Sequence, residues 1–418
     1  MIRRLVIPVL LLAALLIRPA AIQAQVDSAF LARIPKAIDE GVKFLKARQI
    51  KDGAGKGSWG SGENPVYPGG SGAPHKDEVG ITALSLLTLL SCDVLHDDPV
   101  IVDGWAFINK NIEWSVKNTI AGKMVSTYEV GVLLMAIEAM YDARHYKGKK
   151  RDPKKPPAIK LDPADDLKVK ALVEYCVRCQ SVDGGWRYGP SFPPPGGSNN
   201  DVSVTQIIML GLNAAQRMGV AVNPDMVANV ARWNLKAQEK DGPPANVAQV
   251  GDGRGTTVMA KDKCRGWAYI YDSKDEGEKR ISGGMTASGI CTLILAKAML
   301  TPLKKITPTL SQNIDRGVFD GCAWLDANWS VDNNPGGHRS HFYYLYGLER
   351  VGVLGAMEKI GSHPWYVEGA KVLLDRQATT DGHWDSGTEL QPRDVIDTCF
   401  ALLFLKKATV PVGSIVTR

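Results

Sequence analysis

The stretch QSVDGGWRYGP, from Gln180 to Pro190, ends a helical-looking segment with a glutamine, crosses two glycines and reaches a tryptophan. Related stretches are QIKDGAGKGSW from Gln49 to Trp59 and QATTDGHW from Gln377 to Trp384. A glutamine in the last turn of a helix can bond the free backbone groups of the turn that follows, glycines allow a tight reversal, and a tryptophan can cover the glutamine amide. We therefore interpret the repeat as a structural clasp that closes a helix.

Six long apolar segments recur along the chain, and each is hydrophobic nearly all round, as expected of a helix buried between other helices. They are Glu78–Ser91, Thr127–Ala143, Asp201–Met218, Gly283–Leu300, His341–Met357 and Asp394–Ala408. Between them lie six segments with a narrower apolar stripe and more charge, which is typical of amphipathic outer helices. These are Phe30–Gln49, Val100–Lys117, Ala164–Gln180, Pro224–Gln238, Leu310–Trp329 and Pro364–Gln377.

This alternation of outer and inner segments predicts the fold. A helical repeat that cannot bury its apolar face alone must stack on its neighbours. Inner helices that are apolar all round favour a closed ring, because an open solenoid would expose part of them. No segment shows a convincing alternation of period two, so nothing requires a sheet. We predict an all-α protein, an (α/α)6 toroid of six helical hairpins with an inner and an outer ring.

The N-terminus has the order of regions found in a secretory signal. Arg3 and Arg4 precede an apolar run from Leu5 to Ile17, and small residues follow as far as Ala24. The apolar run is short for a membrane span. We predict a signal peptide at residues 1–24, export to the periplasm or the medium, and no membrane span after its removal. Residues 25–418 then form a single toroid domain with long insertions at 145–163 and 241–282. The alternative is that residues 1–24 stay uncleaved as a membrane anchor.

Charge and cysteine content argue against two classes of function, nucleic-acid binding and a redox or zinc role for the cysteines. The net charge of +6 is concentrated in the run from His145 to Lys160, where no aromatic residues alternate with the basic ones, so we predict no nucleic-acid partner. The chain has seven cysteines, and most lie in or beside apolar segments as buried free thiols would. The CVRC pair, Cys176 and Cys179, lacks the strand-then-helix context of a redox motif and a second pair to complete a zinc site.

The clasps resemble the repeats of the terpenoid cyclase and protein prenyltransferase superfamily, in which a Gln, a Gly and a Trp close each outer helix. The resemblance covers roughly Ile34 to Lys407. A degenerate copy, AWLDANW at Ala323 to Trp329, keeps the tryptophan, while Gln238 keeps the glutamine and RGWAYIY from Arg265 supplies a Gly-Trp after an insertion. The resemblance implies that a ligand enters where loops lead into the inner helices.

Within that superfamily, the sequence lacks the motif of the squalene-type cyclases. Those enzymes protonate an alkene with an aspartic acid in a D-x-D-D pattern, and this sequence has none. The nearest approach, DPADD at Asp162 to Asp166, precedes an outer helix and fits an N-terminal cap. No D-D-x-x-D pattern for a magnesium-bound diphosphate is present either. Triterpene cyclisation is therefore not predicted.

Resemblance to the prenyltransferase β subunits implies a zinc site at Asp397, Cys399 and His341. Those proteins bind zinc through a D-x-C at one inner-helix opening and a histidine at another, and all three side chains are suitable zinc ligands. The histidine here precedes the D-x-C, the reverse of the family order. The alternative is that Cys399 fills the core and His341 caps a helix, and no cofactor is then required.

Toroids that act on polysaccharides would instead use aromatic and acidic residues at the mouth of the bowl. The ligand-binding candidates are Trp186, Tyr188, Trp267, Tyr343 and Trp384, and the catalytic candidates are Asp394, Asp397, His341 and Asp201. A pair of carboxylates could act as general acid and base. The alternative is that most of these aromatic residues belong to clasps and packing.

We therefore predict an exported toroid that binds an apolar or extended ligand, a small molecule or a polymer, in its central cavity. The alternative is an enzyme of the same superfamily, or a polysaccharide lyase or hydrolase, that uses the acidic residues and His341 at the mouth. The sequence alone gives neither the ligand nor the oligomeric state.

Overall fold

The computed structural model describes residues 28–60, 78–112, 126–146, 159–188, 199–246, 257–337, 339–387 and 392–409. Over these ranges the chain forms twelve helices, and apart from isolated β-bridges no strand. The helices are α1 (Ser28–Arg48), α2 (Glu78–Ser91), α3 (Pro99–Asn111), α4 (Thr127–Tyr146), α5 (Pro163–Cys179), α6 (Val202–Arg217), α7 (Pro224–Ala237), α8 (Gly283–Leu300), α9 (Pro308–Ala327), α10 (His341–Leu354), α11 (Trp365–Arg376) and α12 (Arg393–Lys406).

The even-numbered helices form a closed inner ring. Helix α2 packs on α4, α4 on α6, α6 on α8, α8 on α10, α10 on α12, and α12 returns to α2. The odd-numbered helices lie outside and pack against one or two inner helices each. Because inner and outer helices alternate along the chain, the N-terminal ends of all six inner helices lie at the same end of the ring. We call this end the mouth.

The inner helices are apolar because they are covered on every side. Helix α8 illustrates this, since it is the one described helix with the length and hydropathy of a membrane span, yet nearly all of it is buried. Its neighbours are α6 and α10 in the inner ring and α7 and α9 outside. The apolar composition therefore reflects the position of α8 in the ring.

Each clasp glutamine joins two outer helices. Gln180 Nε2 donates to Gly184 O at 2.8 Å in the turn that follows α5, and to Met226 O at 3.2 Å in α7. Gln377 Nε2 donates to Gly382 O at 2.8 Å and to Ala37 O at 2.8 Å in α1. Gln49 and Gln238 likewise each make one bond to the segment that follows their own helix and one bond to the next outer helix, which is α3 for Gln49 and α9 for Gln238. The bond to the following turn is as predicted, and the second bond fixes each outer helix to the next.

Each clasp tryptophan completes the end of its own outer helix. Trp186 Nε1 donates to Cys176 O and Trp384 Nε1 donates to Leu373 O, both at 2.8 Å. Trp59 and Trp267 make the same bond, always to the carbonyl four residues before the glutamine. These carbonyls belong to the last turn of a helix, where the helix supplies few N–H donors of its own. Asn234 O accepts from Gln238 N at 3.2 Å as well as from Trp267. The tryptophan thus acts as a C-terminal cap, in addition to filling the core.

A glycine two residues before the tryptophan is required in three clasps. Gly57, Gly184 and Gly382 have φ values of +89°, +105° and +83°. A Cβ atom on Gly184 would lie 2.6 Å from Asn229 O in the next outer helix, and one on Gly57 would lie 2.2 Å from Asp103 O. Both the left-handed backbone and the close approach exclude a side chain.

The all-α class and the toroid are therefore confirmed. The described residues supply six inner and six outer helices, whereas the count of six hairpins for the whole chain stays a prediction. The predicted signal peptide at 1–24 lies outside the described residues, as do residues 147–158 of the first predicted insertion and residues 247–256 of the second. In the described part of the second insertion, Trp267 forms an isolated β-bridge with Gln238, and Ala268 forms one with Ile281. The insertion thus carries the clasp tryptophan of α7, Trp267.

Candidate functional site

Two clasps are followed by a tyrosine that the clasp places at the mouth. Tyr188 and Tyr269 each come two residues after a clasp tryptophan, in WRY and WAY. Thr127 N–H donates to Tyr188 O at 3.1 Å, and Val202 N–H donates to Tyr269 O at 3.2 Å, so both loops are fixed to the start of an inner helix. The two phenol oxygens lie 3.4 Å apart. Tyr128, at the start of α4, stacks on Tyr188 with ring centroids 6.5 Å apart.

These three tyrosines line a recess. Tyr188 keeps 45% of its surface accessible. Yet its surroundings raise the pKa of its phenol, first through burial and then through the charge of Asp201 and the presence of Tyr269. Tyr188 therefore keeps an accessible face although protein atoms surround much of it, and we interpret this combination as a concave surface. We call the site formed by Tyr128, Tyr188, Tyr269 and Asp201 the tyrosine recess.

Asp201 is a buried carboxyl group at the edge of the recess. It caps α6, and its Oδ1 accepts bonds from Ser203 N at 2.8 Å, Ser203 Oγ at 2.6 Å and Val204 N at 3.0 Å. No bond of good geometry reaches Oδ2 from the described residues. Burial raises the pKa of Asp201, against the opposing effects of Ser203, Tyr269, the Val204 N–H and the charge of Arg187. Its protonated form is therefore favoured relative to an exposed aspartate.

Deeper in the ring, a polar cluster crosses the lumen. Gln206 Oε1 lies 2.8 Å from Tyr343 Oη, 2.8 Å from Arg350 Nη1 and 3.1 Å from Ser288 Oγ. Gln206 belongs to α6 and Arg350 to α10, and α8 separates these helices in the ring, so the contact spans the interior. Arg350 is fully buried and lies 3.5 Å from the centroid of the Tyr346 ring. We call Gln206, Ser288, Tyr343 and Arg350 the lumen cluster.

The lumen cluster adjoins the tyrosine recess. Asp201 and Gln206 lie on the same helix, and the charge of Asp201 is among the effects that raise the pKa of Tyr343 to about 12, after burial and against the charge of Arg350. Tyr343 in turn affects the pKa of Tyr188. Of the five predicted ligand-binding residues, Tyr188 lies in the tyrosine recess and Tyr343 in the adjoining lumen cluster.

The other three predicted ligand-binding residues do not present a surface to a ligand. Trp186, Trp267 and Trp384 have no accessible surface, and their indole N–H groups are bonded to helix carbonyls. Their backbone N–H groups donate to the hydroxyls of Thr205, Thr286 and Thr398 in the inner helices. The prediction that these three tryptophans bind a ligand is therefore corrected, because a buried ring that caps a helix cannot also line the cavity.

The predicted zinc ligands are held by separate partners. His341 Nε2 lies 2.9 Å from Val331 O, and its Nδ1 lies 3.2 Å from Arg376 Nη1. Because the guanidinium can only donate, Nδ1 is an acceptor and the proton is on Nε2. Burial lowers the pKa of His341, in keeping with this neutral form.

The two other predicted zinc ligands serve the last clasp and the core. Asp397 Oδ2 accepts a bond from Ser386 N at 2.6 Å, just after the Trp384 clasp, and Cys399 is buried with its Sγ 3.8 Å from Ser85 Oγ. Among the described residues no group of three His, Cys, Asp or Glu side chains is placed to hold a metal ion. The predicted set of Asp397, Cys399 and His341 is corrected accordingly.

The predicted catalytic residues are also dispersed. Asp394 of the inner helix α12 pairs with Arg48 of the outer helix α1 at 2.8 Å, while Asp397 and His341 make the contacts described above. Of the four, Asp201 alone lies in the tyrosine recess. A joint role for the four residues is not supported by their positions.

The sequence analysis did not identify Gln206, Ser288 or Arg350. A signal was present, because Gln206 and Arg350 are polar residues within segments that are otherwise apolar all round. Such a residue in an inner helix must find a partner inside the ring. Its partner lies on another inner helix, which sequence spacing does not reveal.

Comparison with known proteins gives similarities of fold only. No protein-family model and no curated protein matches the chain. A variant of the type II terpene cyclase MstE from Scytonema, in complex with geranylgeranyl dihydroxybenzoate, is 12% identical over 91% of this chain and 97% of its own, with a TM-score of 0.48. An unsaturated glucuronyl hydrolase specific for heparin is 13% identical over 90% and 97%, with a TM-score of 0.48. A mutant of a reducing-end-xylose releasing exo-oligoxylanase, complexed with xylobiose, is 11% identical over 94% and 100%, with a TM-score of 0.39. These similarities assign no role to any residue of this chain.

Proposed function

We propose that the chain is an exported toroid that binds an apolar or extended molecule at its mouth, in the tyrosine recess. The observation that carries this proposal is Tyr188, which keeps 45% of its surface accessible while its phenol lies 3.4 Å from that of Tyr269 and its ring stacks on Tyr128. An aromatic ring in a concavity, with a few polar groups that converge on it, is the usual composition of a small-molecule site. Export follows from the predicted signal at residues 1–24.

The recess is built on rigid elements, as a binding site requires. Two clasps fix the loops of Tyr188 and Tyr269, and Arg187 lies 5.9 Å from the centroid of the Tyr269 ring. Aromatic walls offer contact area at little cost in conformational entropy, and Asp201 and the phenols supply the polar contacts that orient a ligand. The clasps thus contribute to binding indirectly, because they hold the tyrosines in place.

Removing the aromatic wall should abolish binding. We expect the Tyr188→Ala/Tyr269→Ala variant to retain less than about a tenth of the ligand bound by the wild type, since the loss of two aromatic contacts costs well over about 1.4 kcal/mol. The measurement is native mass spectrometry of the purified chain after incubation with an apolar extract. Tyr146→Ala, at the opposite end of α4, is the matched control and should bind like the wild type. Equal capture by all three proteins would contradict the proposal.

A second candidate function is acid catalysis in the same recess, and Asp201 is the observation that favours it. Its carboxyl group is buried, its protonated form is favoured, and Oδ2 makes no bond of good geometry with the described residues. A carboxylic acid in such a site can donate a proton to a bound substrate. Activity that depends on this proton declines as the pH rises through the raised pKa of Asp201.

Asp201→Asn tests this candidate. The amide preserves the size of the side chain and removes the acidic proton, so any conversion of the captured molecule should slow by about 100-fold or more. Binding should persist, and the conversion is followed by mass spectrometry over time. Asp375→Asn, which alters an exposed ion pair with Arg33 on the outer ring, should leave conversion unchanged. Conversion by Asp201→Asn at the wild-type rate would exclude the role.

A further inference from the structure

We propose that the lumen cluster binds the carboxylate group of an organic acid whose body occupies the tyrosine recess. This rests on the proposed function and names the class of ligand. The cluster adjoins the recess, and it carries a buried cation together with hydroxyl donors that converge on one acceptor.

The hydrogen-bond donors of the lumen cluster outnumber the positions that its acceptor, Gln206 Oε1, offers. Tyr343 Oη and Arg350 Nη1 both contact Gln206 Oε1 at 2.8 Å, and Ser288 Oγ lies 3.1 Å from the same oxygen. An amide oxygen has two lone pairs, whereas a carboxylate offers about four sites for hydrogen bonds. Ser288 has a further acceptor in Gly284 O, but Arg350 Nε and Nη2 find none with good geometry in the described part of the chain. The cluster has more donors than its acceptor can serve.

The guanidinium of Arg350 is a buried positive charge. Arg350 is fully buried, and no carboxylate of a described residue lies within 4.0 Å of its guanidinium. Its environment raises its pKa, because the neighbouring phenols of Tyr346 and Tyr343 outweigh the opposing effect of burial. The guanidinium is therefore charged at any working pH, and a buried charge needs a partner of opposite sign.

The adjacent Glu349 does not supply that partner. Its carboxylate accepts bonds from Thr409 N at 3.0 Å and Thr409 Oγ1 at 2.5 Å, in the segment that follows α12. Burial raises the pKa of Glu349 to about 7, which further weakens it as a counter-ion. The Tyr346 ring, 3.5 Å from the guanidinium carbon, compensates part of the charge through its π face. An acceptor with a full negative charge would complete the site.

The distance between the two sites sets the size of the ligand. Asp201 and Gln206 are five residues apart on α6, about 7–8 Å along the helix axis. An extended acid of about six carbons has the length to cover this axial rise, and hexanoate is therefore chosen as the probe. The carboxylate takes over the contacts of the Gln206 amide, which leaves by side-chain rotation. Asp201 does not repel it strongly, because burial favours the protonated form of Asp201.

The test compares sodium hexanoate with hexanamide by isothermal titration calorimetry of the full chain. We expect hexanoate to bind at least tenfold more tightly than the amide of the same shape. Sodium phosphate and sodium chloride at equal ionic strength should not displace it. Equal binding of hexanoate and hexanamide would overturn the carboxylate site while the recess itself stood. Displacement by phosphate would overturn the assignment to an organic acid, since the site would then accept any anion.

Gln206→Glu provides an internal mimic of the ligand. The new carboxylate should pair with Arg350, raise Tm and reduce hexanoate affinity at least tenfold. Arg350→Met should abolish the preference for hexanoate over hexanamide. If Arg350→Met does not fold, Gln206→Glu still tests the inference. Wild-type hexanoate affinity in Gln206→Glu would overturn the inference. If neither hexanoate nor hexanamide binds the wild type, the inference is also wrong. Whether the tyrosine recess binds a ligand is then decided by the mass-spectrometry experiment with the apolar extract.

Discussion

Replacement of Trp384 by alanine is expected to lower the free energy of unfolding by about 3–5 kcal/mol. Trp384 is fully buried, and its indole N–H caps α11 through Leu373 O at 2.8 Å. Its backbone N–H donates to Thr398 Oγ1 at 3.0 Å, which fixes the clasp to α12. The ring also packs so closely on α1 that a Cβ at Gly41 would lie 2.8 Å from it. The side chain therefore joins the last outer helix to the first, and the backbone of the same residue is bonded to the last inner helix.

The effect is measured by denaturant unfolding followed by circular dichroism. Trp384→Phe is the informative control, because it keeps most of the apolar volume and removes the indole N–H, so that a loss of about 1–2 kcal/mol is expected from the hydrogen bond and the residual space. A Trp384→Ala variant within about 1 kcal/mol of the wild type would show that the clasp does not close the ring.

Stability should fall as the pH rises from about 5 to about 8, and Glu349 is the cause. Burial raises its pKa from 4.5 to about 7, against the bonds from Thr409 and the charges of Arg350 and Lys407. Between these two values the unfolded chain has an ionised Glu349 while the folded chain retains the proton, so the folded state binds more protons and loses stability as the pH rises. The expected loss is on the order of 3 kcal/mol, and it levels off above the folded pKa.

Glu349→Gln separates this effect from the titration of other groups. The amide is nearly isosteric and does not titrate, so the stability of the wild type relative to this variant should decrease across the interval. Denaturant unfolding curves of both proteins, measured at several pH values, give the difference in their free energies of unfolding directly. A difference that is constant with pH would show that Glu349 is ionised in the folded chain throughout.

The sequence was sufficient to predict the helices and their clasps, because both are local. Apolar periodicity separated inner from outer segments, and the Gln-to-Trp spacing located the ends of outer helices. The second bond of Gln180, to Met226 in the next outer helix, could not be predicted, since it depends on how the outer helices are arranged around the ring.

The site was harder to predict because the ring brings together residues that are far apart in sequence. A position near the start of an inner helix indicates the mouth, but not whether a side chain points to the lumen or to a neighbouring helix. His341 and Asp397 share that position with Asp201, yet each bonds to its own adjacent loop. Tyr188 and Tyr269 were better indicated, because each follows a clasp tryptophan by two residues.

The central claim is that the ligand lies in the tyrosine recess, and a crystal structure of the chain with the molecule captured from the extract tests it most directly. Our account predicts ligand density against the rings of Tyr188 and Tyr269, with a carboxylate within hydrogen-bond distance of Arg350. Density on the outer ring, or at the opposite end of the inner helices with the recess unchanged, would contradict it.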